Sequence, residues 1–140
     1  MLCDVRSRRA LLVSTAIVFG AVDLLHKAFE PAQFHHARTP FVAVLMAFLI
    51  CALAVLVPRI PSNAAALGAG IACGGALGNL VSLLAWSQGV PDPIVLAGTR
   101  HALAFNLADL FALAGDALLL SAAVVHGLRN RERLREPVQS

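Results

Sequence analysis

Charge is scarce in this sequence. Only 14% of its 140 residues are Asp, Glu, Lys or Arg, against 59% that are hydrophobic, and mean hydropathy is +0.78. A soluble domain of this length carries nearer a quarter charged residues, so the balance excludes an ordinary soluble fold and points to an integral membrane protein of one domain, residues 1–140. Cysteine is nearly absent too: Cys3, Cys51 and Cys73 cannot all pair, and two of them fall in apolar runs, so no disulfide framework is implied. Small buried packing residues fit them better than redox or metal roles. Aromatic residues do not interleave with the basic ones, and no nucleic-acid module is present, which excludes a nucleic-acid partner despite a net charge of +3.

What is present is four long apolar runs, at about 10–27, 41–57, 64–86 and 102–127. Each reaches or nearly reaches the roughly 20 residues that cross a hydrocarbon core. The first two are at the short end of that range. Helices satisfy their own backbone in lipid, so the expected architecture is an all-α membrane protein, a four-transmembrane-helix bundle. The Arg-rich start resembles a secretory signal, but no small-residue cleavage site follows, and Asp23 and Lys27 occupy its far end, so a retained anchor helix is expected. Arg6, Arg8, Arg9, Arg129, Arg131, Arg133 and Arg135 crowd the two ends of the chain, with Arg59 in the turn between the second and third runs. Lys27, Arg38 and Arg100 fall on the other side. The positive-inside rule then puts both termini in the cytoplasm, a basic tail at 128–140 included, and the Asp92 loop outside.

The third run repeats small residues every four positions: Ala66, Gly70, Gly74, Gly78 and Ser82. In lipid such a stripe lets another helix approach closely, so Gly70, Gly74 and Gly78 are expected to be helix-packing positions. A glycine-rich phosphate cradle would need a strand entering a helix and is not expected here.

Polar residues inside the spans are few and cost free energy, so each invites an explanation. Asp23 and Lys27, four apart, share a helical face and can pair. Asn79 sits in the third run; Asn106 and Asp109 are three apart near the start of the fourth, about two turns inside it; Asp92 lies between prolines in Gly89-Val90-Pro91-Asp92-Pro93. All of these could converge at the outer membrane surface. Two carboxylates within hydrogen-bonding reach share one proton, because two like charges that close cannot both ionise. One then takes a proton from water while the other protonates a carbonyl oxygen, which is aspartic-peptidase chemistry. A solvated turn residue at Asp92 and a capping or packing group at Asp109 fit the spacing as well. Asp116, seven residues past Asp109, falls on nearly the same face but deeper, where it would extend a polar seam or meet another subunit. His26, His35, His36 and His101 lack the spacing of a known zinc site, so no metal is expected. His126 reads as an interfacial residue. A small transporter is disfavoured by the lack of an internal repeat.

These residues resemble the lipoprotein signal peptidase (signal peptidase II) family, four-span aspartic peptidases of bacterial membranes. Gly74-Gly75-Ala76-Leu77-Gly78-Asn79-Leu80 looks like its third-helix motif, and Phe105-Asn106-Leu107-Ala108-Asp109 with Gly115 looks like its Phe-Asn-x-Ala-Asp motif. Asp23 and Lys27 match its Asp-x-x-x-Lys, and Asp92 falls where it places the first catalytic aspartate. The resemblance implies Asp92 and Asp109 as the catalytic pair, Asp23, Lys27, Asn79 and Asn106 as supports, no cofactor, and membrane lipids and a lipidated or transmembrane protein client as partners in the bacterial cytoplasmic membrane.

The chain departs from the family where Ser82 and Leu83 replace an Asp-Arg pair, where residues 29–40 lack the family's Asn-x-Gly-x-Ala-Phe, and where Pro91 and Pro93 flank Asp92. A catalytic pair needs its surrounding shell locked in place. On the sequence, these losses favour a non-catalytic accessory subunit that binds a partner helix or acylated client in an envelope complex, with an active aspartic peptidase as the alternative.

Overall fold

A computed structural model describes residues 2–37, 39–97 and 102–133. Its four helices are α1 (Leu2–Phe29), α2 (Pro40–Leu56), α3 (Asn63–Ala85) and α4 (Leu107–Arg133). All four are long and apolar enough to cross a membrane, and the chain is a four-span membrane protein. Four short strands lie between the helices: β1 (Phe34–His36), β2 (Val90–Asp92), β3 (Ile94–Ala97) and β4 (Ala102–Phe105). β1 pairs antiparallel with β2, bringing Phe34 opposite Asp92 and His36 opposite Val90, and β3 pairs antiparallel with β4.

Two expectations need correction. The first helix is 28 residues long and starts at Leu2, because its polar, Arg-bearing end is a good helix former that hydropathy alone cannot include. The fourth helix does not begin at 102: residues 102–105 form a strand, and Asp109 stands in the first turn of α4, not two turns inside it. Apolar runs of a few residues serve strand and helix alike, so hydropathy merged β4 with α4. Of the basic tail expected at 128–140, the part to Arg133 continues α4; residues 134–140 lie outside the described residues.

Helix starts are set by local chemistry. Thr39 caps α2, its hydroxyl accepting from the Val42 N–H, with Pro40 at the first helical position, where no N–H is needed. Ser62 caps α3 by accepting from the Ala65 N–H.

α3 is the centre of the bundle, packed chiefly against α1 and α4. The four-residue stripe faces α1. A Cβ on Gly70 would stand 2.7 Å from the Thr15 Cβ, one on Gly74 would stand 2.6 Å from the Phe19 Cβ, and one on Gly78 would collide with the Asp23 carboxylate. A second small-residue face, absent from the sequence reading, meets α4. There Gly68 and Gly75 approach the backbone at Gly115, Leu119, Ala108 and Ala112, and Gly115 lies against Ala72. Lipid supplies no hydrophobic drive for helices to associate, so close backbone contact through small residues is what brings these three together. Phe19 and Phe111 add an edge-to-face contact with ring centroids 4.8 Å apart. α2 is peripheral: it packs on α3, and Phe41, Val44, Phe48 and Leu56 are exposed, as suits side chains bathed in lipid.

Arg8 donates from Nε to the Pro58 carbonyl at 2.9 Å, and Arg129 and His126 line a cavity with Pro61 and Ser62. The start of α1, the α2–α3 turn and the end of α4 therefore meet at one end of the bundle, and the strands lie at the other.

Candidate active site

Asp23, Lys27, Asn79 and Asn106, the supports expected from the sequence, are drawn with Asp92 and Asp109 into one hydrogen-bonded cluster where α1, α3, β2 and the start of α4 meet; Asp116 and His126 lie outside it. Asp23 and Ser82 are wholly buried, as are Asp92 and Asn106; Lys27 and Asn79 nearly so.

The cluster is organised around Lys27. Its ammonium donates to Asp23 Oδ2 at 2.7 Å, to Asn79 Oδ1 at 2.8 Å and to Ser82 Oγ at 3.2 Å. An ammonium has three donors, and each finds an acceptor. The Asp23–Lys27 pair expected from four-residue spacing is therefore present, with a second helix closing round it. Ser82, which stands where the family has an aspartate, supplies the third acceptor and anchors itself by donating to the Gly78 carbonyl at 2.6 Å. It continues the small-residue stripe by one step of four beyond Gly78, so the face it occupies was readable from the sequence.

Asp23 has a second task. Its Oδ1 accepts the Ala108 N–H at 2.8 Å. The first N–H groups of a helix have no intrahelical partner, so a carboxylate from α1 is satisfying the amino end of α4.

Asn106 and Asp109 tie that helix start further. The Asp109 N–H donates to Asn106 Oδ1, and the Asn106 N–H donates to Asp109 Oδ2, both at 3.2 Å. This is a reciprocal capping box, with Asn and Asp in place of the commoner Ser/Thr and Glu. Asp109 also accepts from Asn79 Nδ2 at 3.2 Å. The capping role and the functional role weighed for Asp109 are thus compatible, since one geometry serves both.

Asp92 is no solvated turn residue. It ends β2 with no exposed surface. Its Oδ1 accepts from Asn106 Nδ2 at 2.7 Å, and its Oδ2 contacts His36 Nδ1. The same Asn106 amide reaches the Pro91 carbonyl at 3.4 Å. His36 is diagonal to Asp92 in the β1–β2 register, within reach of a long side chain. The sequence offered no sign of this role for His36, because the pairing of residues 34–36 with 90–92 spans more than fifty positions. Gly89, at φ 104°, makes the turn into β2 in a conformation that favours glycine.

Asn106 therefore holds one carboxylate with its side chain and the other with its backbone. Asp109 is half-buried and lines a cavity of about 450 Å³ with His36, Ala37, Thr39 and Val42. Asp92 does not line that opening, since His36 stands between them. Paired carboxylates can divide the work of a hydrolysis, one accepting a proton from water and the other donating one to the substrate. Leu83, in place of the family's arginine, is half-buried and brings no charge to the cluster. Among the described residues no group of three or more His, Cys, Asp or Glu could hold a metal ion, and His101, Arg38 and Arg100 lie outside those residues.

Residues 11–125 match the family model described as signal peptidase (SPase) II. No curated protein matches the chain.

Proposed function

Because the chain belongs to the signal peptidase II family, we propose that it is a membrane aspartic endopeptidase with Asp92 and Asp109 as its catalytic pair. The observation that carries this reading is the double grip of Asn106 on both carboxylates, beside a buried and fully paired Lys27. Ser82 and Leu83 in place of an Asp-Arg pair favour an accessory role on the sequence alone. Ser82 and Asn79 hold Lys27 with neutral oxygens, and Asn79 and Asn106 brace Asp109, so positioning does not depend on the missing Asp-Arg pair.

In the reaction, one ionised carboxylate removes a proton from water as its oxygen attacks the scissile carbonyl carbon. The other, protonated, gives its proton to the carbonyl oxygen. As the tetrahedral intermediate collapses, one of its hydroxyls gives its proton to the now ionised carboxylate, the C–N bond breaks, and the leaving nitrogen takes the proton held by the other carboxyl, which restores the pair. Aspartate side chains at the membrane end opposite Arg8 and Arg129 fit a client cleaved at the membrane surface, a lipid-modified or other transmembrane precursor. By the positive-inside rule that end faces outward from a bacterial cytoplasmic membrane, with both termini inside.

The test is incubation of the purified chain, in micelles or lipid, with a diacylglyceryl-modified precursor, read by mass spectrometry. Cleavage abolished by Asp92→Asn and by Asp109→Asn is the expected result; no product where an intact family member works would refute it.

One observation favours the second reading, a non-catalytic accessory subunit of an envelope complex handling lipids or lipoproteins. Both Asp92 oxygens are occupied, by Asn106 and His36, and the side chain has no exposed surface. Under that reading both Asn variants support the biological role at normal membrane levels, and native purification yields a stable membrane complex.

A further inference from the structure

Asp116 is a charged side chain that the chemistry above leaves unused. It lies within the membrane-crossing part of α4, is exposed, and makes no hydrogen bond or ion pair among the described residues. An ionisable group in such a place is costly unless something pairs with it.

Its surroundings indicate where a partner would come from. Asp109, Ala112 and Asp116 follow one another on one face of α4, at steps of three and four residues. On α2, Val42, Met46, Leu49 and Leu53 do the same. These two stripes line two cavities in succession, the outer one containing Asp109 and Val42, and an inner one of about 130 Å³ containing Asp116, Ala112, Met46, Leu49 and Leu53. α2 is seated on α3, and α4 is not among its principal neighbours, so a cleft runs between α2 and α4 from the dyad into the membrane. Its outer part is polar, with His36, Thr39 and Asp109, whereas its inner part is apolar except for Asp116 and the Cys73 thiol.

We propose that this cleft receives the membrane-crossing helix of the client, and that Asp116 selects clients bearing a lysine or arginine about seven helical residues inward of the cleaved bond. The position of that bond rests on the peptidase reading of Asp92 and Asp109. The spacing follows from Asp109 to Asp116, seven residues or roughly 10 Å of helix rise, matched by a client helix lying along the cleft. The preference for a cation follows from the carboxylate, which when ionised only accepts hydrogen bonds. A lone ammonium in lipid is equally costly, so pairing relieves both penalties, and a client with leucine there relieves neither.

The experiment uses the full chain in lipid nanodiscs and two dye-labelled synthetic transmembrane peptides. They differ in one residue, lysine or leucine, seven positions inward of the segment that faces Asp109. Fluorescence titration should show the lysine peptide binding about tenfold more tightly, within the range of polar contacts between helices in membranes. Asp116→Asn should erase the difference, and Asp116→Lys should reverse it in favour of a peptide with aspartate at that position. Moving the lysine two residues along, to the opposite helix face, should also erase it.

Equal affinities for the two peptides would overturn the proposal, as would a lysine preference that survives Asp116→Asn. So would self-association of two chains per disc that depends on Asp116 and excludes the peptide. Cleavage is scored separately: a lysine preference without cleavage of any precursor leaves the Asp116 pairing standing and refutes the peptidase, whereas cleavage without the preference does the reverse.

Discussion

Asn106 and Asp109 each donate a backbone N–H to the other's side chain, and the Asn106 amide then reaches across to Asp92. A helix cap, worth about 1 kcal/mol in other proteins, has become the part that sets the distance and orientation of two carboxylates. The start of α4 and the site are one structure, so they cannot be perturbed separately.

Asn106→Ala removes the cap and both side-chain contacts. The expected result is a fall in turnover of about 10²-fold, the scale of a lost positioning contact, with a loss of about 1 kcal/mol in stability. Cleavage kinetics and thermal denaturation in detergent check the two together. Full activity in this variant would remove Asn106 from the site.

Lys27→Met leaves Asp23 buried without its cation and is expected to destabilise the bundle by about 3–5 kcal/mol. Adding Asp23→Asn should restore most of the loss, because the Asn oxygen can still accept the Ala108 N–H while the unpaired charge is gone. Comparison of melting temperatures for the single and double variants decides this. A double variant no more stable than the single one would show that the charge pair is not the source of the cost.

The approach of α3 to α4 leaves no room beside Gly115, where an added Cβ would strike the Ala72 backbone, whereas Gly127 has nothing within 4 Å. Gly115→Val should therefore abolish monodisperse protein on size exclusion, and Gly127→Ala should leave it unchanged or slightly stabilised, by up to about 1 kcal/mol.

His36 covers Asp92 from the cavity side. Its replacement by alanine should raise carbodiimide labelling at Asp92 several-fold, read by peptide mass spectrometry, while Asp23 stays unlabelled. Unchanged labelling at Asp92 would mean that Asn106 and the strands alone bury it.

The pairing of Asp23 with Lys27 was legible in the sequence because four residues along a helix always bring side chains together, whatever the fold. The same rule exposed the face shared by Gly70, Gly74 and Gly78. His36 was illegible by contrast: its place beside Asp92 depends on a three-residue strand pairing with a segment far along the chain, and short strands leave no periodicity to detect. The boundary of α4 was misplaced for a related reason, since Ala102–Phe105 is as apolar as the helix that follows.

Composition and local periodicity, acting on neighbours in the chain, determined by themselves that this protein crosses the membrane four times and carries costly polar residues in its spans. Only the tertiary structure decided that those residues meet. Lys27 draws its acceptors from two helices, Asn106 joins a strand end to a helix cap, and the cleft holding Asp116 exists because α2 and α4 stand apart. Such relationships depend on how helices approach across lipid, through small residues whose partners lie dozens of positions away, and no local rule encodes that approach.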